Sequence, residues 1–281
     1  MKFAINAKLE YNVIVPSTLI LNIHALRTPN QAVLEETFTI EPYVKVEELT
    51  SANGENRFIR VDLSRATDIK IFYSAIVDNS FKNTDHKKQH QIPVAKLDTS
   101  VFPYLYPSRY CQSDKLYRLA NKKFGNIENP YSQVIALTDW IHRNVEYLSG
   151  STNAQTSAYD TVIEHAGVCR DFAHLGIALS RALTIPARYF TGYAYQLNPP
   201  DFHACFEAYL GGEWVLFDAT KLAPLNGMVK IATGRDAADT AIASIFGNAF
   251  CNNILVTCEV MEKSFKPLFY DPDVLKGISY L

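Results

Sequence analysis

The chain has 281 residues, with 27 Lys and Arg against 29 Asp and Glu, a formal net charge of −2 and 48% hydrophobic residues. This composition excludes a disordered chain, a collagen-like chain and a disulfide-dense miniprotein. Because basic residues are not in excess, the charge also argues against a nucleic-acid partner or an anionic membrane surface.

The first hundred residues have the pattern of a β domain. Short runs rich in β-branched and aromatic residues alternate with turn signals such as Pro16 and Asn53-Gly54. Regular spacing of this kind favours an antiparallel β-sandwich, which we assign to residues 1–100. The predicted strands cover residues 18–23, 37–40, 57–63 and 68–73.

After a polar, exposed connection over residues 79–100, the apolar period becomes helical. Beyond Pro186 the spacing of the apolar residues changes again, to the two-residue period of a strand. Residues 101–281 are therefore predicted to form a second domain of helices followed by an antiparallel sheet, an α+β arrangement. The predicted helices are 113–124, 131–147, 159–165 and one beginning at Cys169, and the predicted strands are 189–195, 203–210 and 213–217.

The five cysteines do not form a disulfide framework, because their number is odd and they are widely spaced. Reduced thiols, one of them reactive, are the better interpretation. The first residues lack the apolar block of a signal peptide, and no apolar run reaches the length of a membrane span, about 18 residues. We therefore predict a cytoplasmic location and no membrane partner. The cysteines are Cys111, Cys169, Cys205, Cys251 and Cys258.

Cys169 is the candidate nucleophile. If it opens a helix, its sulfur lies near unpaired backbone N–H groups and the positive end of the helix dipole, which stabilise a thiolate. Arg170 assists this, whereas Asp171 opposes it if its carboxylate points at the sulfur. The alternative is a small residue buried at a helix start, and this motif alone does not separate the two.

A hairpin downstream provides the partners. With Gly211-Gly212 as a two-residue turn, every cross-strand pair has residue numbers that sum to 423. His203 and Asp218 are then diagonal neighbours on one face, roughly 7–8 Å apart, within reach of a hydrogen bond. Asp218 would orient His203, and His203 would take the proton of Cys169.

Several blocks of the chain carry a family resemblance. They are residues 167–175 (GVCRDFAHL), 185–189 (IPARY) and 203–209 (HACFEAY) with 217–220 (FDAT), supported by 107–110 (PSRY) and 234–239 (GRDAAD). In these blocks the chain resembles the transglutaminase-like superfamily, and in particular bacterial members described as cysteine proteases with an N-terminal β-domain. The resemblance spans nearly the whole chain. One departure is Cys205, where the family usually has Trp.

The resemblance implies a papain-like catalytic core with Cys169, His203 and Asp218 as a catalytic triad. The expected reaction is acyl transfer at an amide bond of a protein or peptide substrate through a thioester, with no cofactor and no metal. Hydrolysis is preferred because it needs no second binding site. The alternatives are an amine-accepting crosslinking enzyme and a non-catalytic peptide-binding protein with a vestigial cleft. The oligomeric state and the second oxyanion donor stay open.

Three other features have simpler interpretations. His86 and His90 have a zinc-like spacing but lie in a lysine-rich connection, so an exposed loop is favoured. His174 lies about 140° around the helix from Cys169 and is predicted to be a polar residue at the helix edge. The Arg and Asp residues of segment 234–239 are predicted to satisfy each other, although Arg235 could bind a substrate carboxylate.

Overall fold

The computed structural model describes residues 1–52, 56–271 and 276–280. The helices are α1 (Ser113–Phe124), α2 (Pro130–Asn144), α3 (Ala158–Glu164), α4 (Cys169–Ala182) and α5 (Ala237–Thr240), with short 3-10 helices at His86–Lys88, Val94–Lys96 and Thr99–Tyr104. The strands are β1 (Lys2–Val13), β2 (Ser17–Leu21), β3 (Gln31–Glu41), β4 (Val46–Thr50), β5 (Arg57–Leu63), β6 (Thr67–Asn79), β7 (Lys82–Asp85), β8 (Glu146–Tyr147), β9 (Ala166–Gly167), β10 (Ala187–Ala194), β11 (His203–Leu210), β12 (Glu213–Phe217), β13 (Met228–Gly234), β14 (Ala243–Phe246), β15 (Ala249–Val260) and β16 (Lys276–Ser279).

The N-terminal part is an antiparallel β-sandwich, as the sequence predicts. One sheet has the order β15-β1-β6-β3 and the other the order β14-β2-β5-β4. Alternate residues along β1 and β6 are buried, because successive side chains of a strand point to opposite faces. The two sheets share one apolar core, which includes Leu9, Leu19, Ile59 and Ile71.

The second part is an α+β unit built on a six-stranded sheet with the order β13-β10-β11-β12-β16-β7. Helices α1, α2 and α4 cover one face, and their apolar side chains share a core with that of Phe206 in β11. The helix α4 lies close to β11 at Gly176, where a Cβ atom would come within 2.4 Å of the Phe206 ring. This packing fixes α4 relative to β11, and with them their first residues, Cys169 and His203.

The hairpin β11–β12 has the register that the sequence predicts. Leu210 pairs with Glu213 and Phe206 with Phe217, so each pair sums to 423. Gly211 and Gly212 both have positive φ, 60° and 89°, which suits a two-residue hairpin turn and favours glycine. The turn therefore sets which residues face each other near the end of the strands.

Three strands, β7, β14 and β15, lie in one part of the sequence and join a sheet of the other part. β14 and β15 complete the two sandwich sheets by pairing with β2 and β1. β7, which lies in the segment expected to be an exposed connection, pairs with β16 at the edge of the six-stranded sheet. The division at residue 100 stays a prediction, and hydrogen-bonded strands span it in both directions.

Over the described residues, no helix combines the length and the apolar character that crossing a membrane requires.

Candidate active site

Cys169 is the first residue of α4, as the sequence predicts. The Asp171 carboxylate accepts a hydrogen bond from the backbone N–H of Val168 at 3.0 Å and two more from the Arg170 guanidinium at 3.2 and 3.0 Å. Asp171 is fully buried and caps the helix start. These hydrogen bonds hold the Asp171 carboxylate at the backbone of the helix start and at the Arg170 guanidinium.

The strand pair before α4 also shapes this corner. β8 and β9 run parallel, with Tyr147 opposite Gly167 and the backbone N–H of Leu148 donating to the Gly167 carbonyl at 2.9 Å. This pairing brings the Tyr147 side chain beside Cys169, whose thiol influences its pKa. Burial raises the pKa of Tyr147 to about 12, so its hydroxyl keeps its proton at neutral pH.

His203 and Asp218 are in direct contact. His203 Nε2 lies 2.9 Å from Asp218 Oδ2, and both side chains are buried. The other carboxylate oxygen of Asp218 accepts hydrogen bonds from the backbone N–H and the hydroxyl of Thr220 at 2.9 and 2.7 Å. The predicted contact between these two residues is therefore confirmed, and Thr220 fixes the carboxylate from the other side.

The contact shifts both pKa values in the direction that a charged pair requires. Burial by itself would lower the pKa of His203, but the charge of Asp218 and the hydrogen bond to it raise that pKa well above its usual range. For Asp218, burial acts to raise the pKa, yet the charge of His203 and the hydrogen bonds from His203 and Thr220 lower it. The pair therefore favours an imidazolium next to a carboxylate.

Cys169 and His203 line the same cavity, which has a volume of about 630 Å³. The thiol is close enough to the imidazole to influence its pKa. His203 Nδ1 is buried and has no hydrogen-bond partner in the part of the chain that the structure describes. This ring nitrogen is consequently free to exchange a proton with a group in the cavity, while Nε2 is held by Asp218.

Cys205 lies behind the His–Asp pair. One ligand atom from each of His203, Cys205 and Asp218 lies within 4.8 Å of the others, and all three residues are buried. These are residue types that bind zinc, but His203 and Asp218 already share a hydrogen bond. Burial raises the pKa of the Cys205 thiol to about 12, so it is protonated at neutral pH. His86 and His90 belong to no such cluster within the described residues.

Comparisons with known proteins agree with this fold. Residues 1–100 match the family model "Bacterial transglutaminase, N-terminal domain", and residues 117–219 match "Transglutaminase-like superfamily". A crystal structure from Cytophaga hutchinsonii, named "Putative Cysteine Protease", is 57% identical, with a TM-score of 0.98 over 100% of this chain and 98% of that one. The chain belongs to the transglutaminase-like superfamily.

Curated relatives of this transglutaminase-like protein are more distant. "Uncharacterized protein ML0607" from Mycobacterium leprae is 26% identical over 165 residues, which is 56% of this chain and 59% of the relative. "Uncharacterized protein Mb2599c" from Mycobacterium bovis is 39% identical over 64 residues, which is 23% of this chain and 20% of the relative. The match thus spans about three fifths of the first relative's length and one fifth of the second's.

His174 corrects one prediction for this transglutaminase-like protein. It is fully buried, not at the helix edge, and its ring stacks on Tyr110 at 5.0 Å between centroids. His174 Nε2 accepts a hydrogen bond from the backbone N–H of Ala237 at 3.1 Å, and burial lowers its pKa well below the usual range. The position of His174 on the helix did not predict this burial, because the segments that cover it, at Tyr110 and Ala237, are distant in sequence.

The segment around residues 234–239 joins the walls of the cavity. Arg235 and Asp239 form the predicted ion pair at 2.9 Å, while the buried Asp236 accepts a hydrogen bond from the backbone N–H of Tyr110 at 2.9 Å. Arg181, which sequence reasoning missed, is almost fully buried and donates to the carbonyl oxygens of Ala187 and Arg235. Arg181 lies outside the apolar stripe of α4 that contains Phe172 and Leu179, so the helical period gave no signal for its burial.

Proposed function

We propose that this protein hydrolyses amide bonds in a protein or peptide substrate, with Cys169 as nucleophile, His203 as general base and acid, and Asp218 as the residue that orients His203. The observation that carries the proposal is the shared cavity of Cys169 and His203, together with the buried hydrogen bond from His203 to Asp218. The family membership and the name of the 57% identical relative support the same reaction class.

The first half-reaction forms a thioester. The thiol proton resides on His203, whose imidazolium Asp218 stabilises, and the Cys169 thiolate attacks the substrate carbonyl carbon to form a tetrahedral oxyanion. We assign the backbone N–H of Cys169, at the start of α4, as one donor to that oxyanion. Collapse of the intermediate breaks the carbon–nitrogen bond, and the imidazolium of His203 gives its proton to the departing amine.

The second half-reaction consumes water. His203 takes a proton from a water molecule, whose oxygen attacks the thioester carbonyl, and the carboxylic acid and the free thiol are released. The hydroxyl of Tyr147, which is protonated at neutral pH and lies beside Cys169, is proposed as the second oxyanion donor. The chemistry of these side chains needs no cofactor.

A cytoplasmic location is also part of the proposal. The five cysteines are all free thiols, which is the usual state in a reducing compartment. A nucleophilic thiol that acts through a thioester must itself stay reduced. Separate fractionation of the producing cells, with detection of the native protein, tests the location.

The nucleophile is tested by alkylation with iodoacetamide at neutral pH, followed by mass spectrometry of the peptides. We expect Cys169 to react at least about tenfold faster than Cys251, the exposed cysteine, and His203→Ala to abolish that advantage. Equal rates at Cys169 and Cys251 in the wild-type protein would reject the enzymatic proposal.

Whether water or an amine accepts the acyl group from the thioester is tested with unfolded β-casein in the presence of the fluorescent amine dansylcadaverine. Hydrolysis predicts new amino termini or released ammonia, with little incorporation of the amine, and no product from Cys169→Ala. Incorporation of dansylcadaverine that outpaces hydrolysis would reject the hydrolytic assignment in favour of crosslinking.

A further inference from the structure

The cavity that contains Cys169 and His203 extends to the β-sandwich. Besides residues of the catalytic core, it is lined by Cys251 and Ile254 of β15 and by four consecutive residues, 242–245, at β14. Strand side chains alternate between faces, so one face of a strand presents only every second residue to a cavity. A run of four consecutive lining residues means that the edge of β14 borders the cavity.

Among the residues that the structure describes, β14 is an edge strand, because the sheet order is β14-β2-β5-β4. Its hydrogen bonds to β2 follow the antiparallel alternation: the backbone N–H of Asn22 donates to the Ile242 carbonyl at 2.9 Å, and Ala243 lies opposite Leu21. Residue 242 is thus a hydrogen-bonded position. Ala243 and Ile245 are then the positions whose N–H and C=O groups point away from β2.

The side chains around this edge are mainly apolar. Ile245 and Ile254 are each more than a third exposed and line the cavity from β14 and β15. Charge at the cavity is limited to a few groups, among them Arg170 and Asp201. The wall therefore offers a row of backbone donors and acceptors between uncharged surfaces.

We propose that the free edge of β14 binds the main chain of the substrate, which adds to the sheet as an extended strand and places its scissile carbonyl at Cys169. This inference rests on the proposed function and specifies its substrate class: an extended or unfolded polypeptide segment with small apolar side chains. Strand addition to an exposed sheet edge is a general mode of peptide recognition, in which main-chain hydrogen bonds supply affinity.

A polypeptide is the occupant that this surface fits. The backbone groups of Ala243 and Ile245 repeat with the two-residue spacing of a strand, and only another extended main chain presents acceptors and donors at that spacing. The edge is also continuous with the cavity of Cys169 and His203, so a segment bound there has a direct path to the thiol. A small isolated amide would leave the edge unused.

The test uses two active-site reagents that both alkylate Cys169: acetyl-Ala fluoromethyl ketone, with one residue, and acetyl-Val-Ala-Val-Ala fluoromethyl ketone, with four. We expect the longer reagent to inactivate the wild-type protein about tenfold faster, the gain from one or two added hydrogen bonds. The same longer reagent with N-methylated internal amides should lose that gain on the unchanged protein.

Two variants locate the effect on the edge. Ile245→Pro removes the N–H group that points away from β2 and leaves the ladder to β2 intact, because proline is tolerated at such edge positions. Ile245→Ala shortens the same side chain but keeps the N–H. We expect Ile245→Pro to lose the advantage of the longer reagent and Ile245→Ala to keep it.

The outcomes separate this inference from the proposed function. If iodoacetamide does not select Cys169 in the wild-type protein, the enzymatic function fails. If iodoacetamide selects Cys169 equally in all variants, but the longer reagent has no advantage or both Ile245 variants behave alike, strand addition at β14 is wrong.

Discussion

His203 Nε2 and Asp218 Oδ2 lie 2.9 Å apart, inside the protein, at the end of the hairpin whose turn is Gly211-Gly212. The contact leaves Nδ1 as the ring nitrogen available to the cavity that Cys169 also lines. The two halves of the candidate site therefore have separate supports: the hairpin positions the His–Asp pair, and α4 positions the thiol.

Asp218→Asn should reduce the rate of acyl transfer strongly while the fold persists. The amide keeps the shape of the carboxylate but not its charge, so the pKa of His203 falls and the imidazolium is no longer stabilised. A loss of kcat by about a hundredfold or more is expected, measured by hydrolysis of casein. Asp201→Asn is the matched control, because Asp201 also lines the cavity but its carboxylate accepts its hydrogen bond from the backbone N–H of Phe202. Equal losses in both variants would contradict the orienting role of Asp218.

Tyr147→Phe should lower kcat by about tenfold to a hundredfold and leave KM nearly unchanged, because a hydroxyl that donates to the oxyanion, as proposed for Tyr147, stabilises the transition state and not the bound substrate. Steady-state kinetics with the same substrate measure the split. The exposed Tyr117, on α1, supplies the control variant Tyr117→Phe, which should behave as wild type. A Tyr147→Phe protein with normal kcat would remove Tyr147 from the oxyanion site.

Gly176→Ala should destabilise the catalytic core. Alanine normally favours a helix interior over glycine by about 1 kcal/mol, but here its Cβ would come within 2.4 Å of the buried Phe206 ring. We expect a net loss of about 1–3 kcal/mol in the free energy of unfolding, measured with urea. The double variant Gly176→Ala/Phe206→Leu should recover part of the loss, since leucine leaves room at that position. A more stable single variant would show that α4 and β11 can separate without cost.

We predict that Glu36 makes the free energy of unfolding of the protein decrease at acidic pH. Burial opposes its ionisation, but hydrogen bonds from Arg57 and Tyr73 and the charge of Arg57 lower its pKa to about 2. A folded pKa below the unfolded value, about 4.3, stabilises the protein above pH 4.3, and this contribution is lost as the pH falls towards 2. We expect about 2 kcal/mol after solvent screening.

The measurement for Glu36 is the free energy of unfolding between pH 2 and pH 6. Glu36→Gln should be less stable than wild type at pH 6 and should show a flatter dependence below pH 4.3. The exposed neighbour Glu35 provides the control Glu35→Gln, which should keep the wild-type slope. Parallel curves for wild type and Glu36→Gln would show that the ion pair with Arg57 does not govern acid stability.

Arg181→Met should loosen the joint between α4 and the cavity wall. Besides its bonds to Ala187 and Arg235, the Arg181 guanidinium donates to the Tyr106 carbonyl at 2.9 Å and to the Ser108 hydroxyl at 3.0 Å. Without these donors the buried acceptors are unsatisfied, and we expect a loss of about 3 kcal/mol or more. Arg181→Lys should be only partly better, because an ammonium cannot donate to all these acceptors at once.

For Arg181 the urea midpoint and the alkylation rate of Cys169 are measured together. The exposed Arg118 on α1 is the control, and Arg118→Met should change the free energy of unfolding by less than about 0.5 kcal/mol. If Arg181→Met matches Arg118→Met, the buried hydrogen bonds of Arg181 are dispensable.

Much of the fold followed from local pattern. The alternation along β2, β5 and β6, the apolar stripe of α4 and the start of that helix at Cys169 are written in short stretches of chain. The hairpin register required only the Gly211-Gly212 turn, because a two-residue turn fixes every cross-strand pair that follows. The contact between His203 and Asp218 was predictable for the same reason.

Tertiary structure decided the rest. β15 has few buried residues and hence a weak amphipathic signal, yet it pairs along the whole of β1, some 250 residues away in sequence. The burial of His174 and the hydrogen bonds of Arg181 likewise come from distant segments that no helical period reveals. The sequence by itself determined which residues share a helix or strand face, because those geometries repeat over two to four residues. That Cys169 shares a cavity with His203, and that β14 borders it, depends on packing between elements, which local periodicity does not encode.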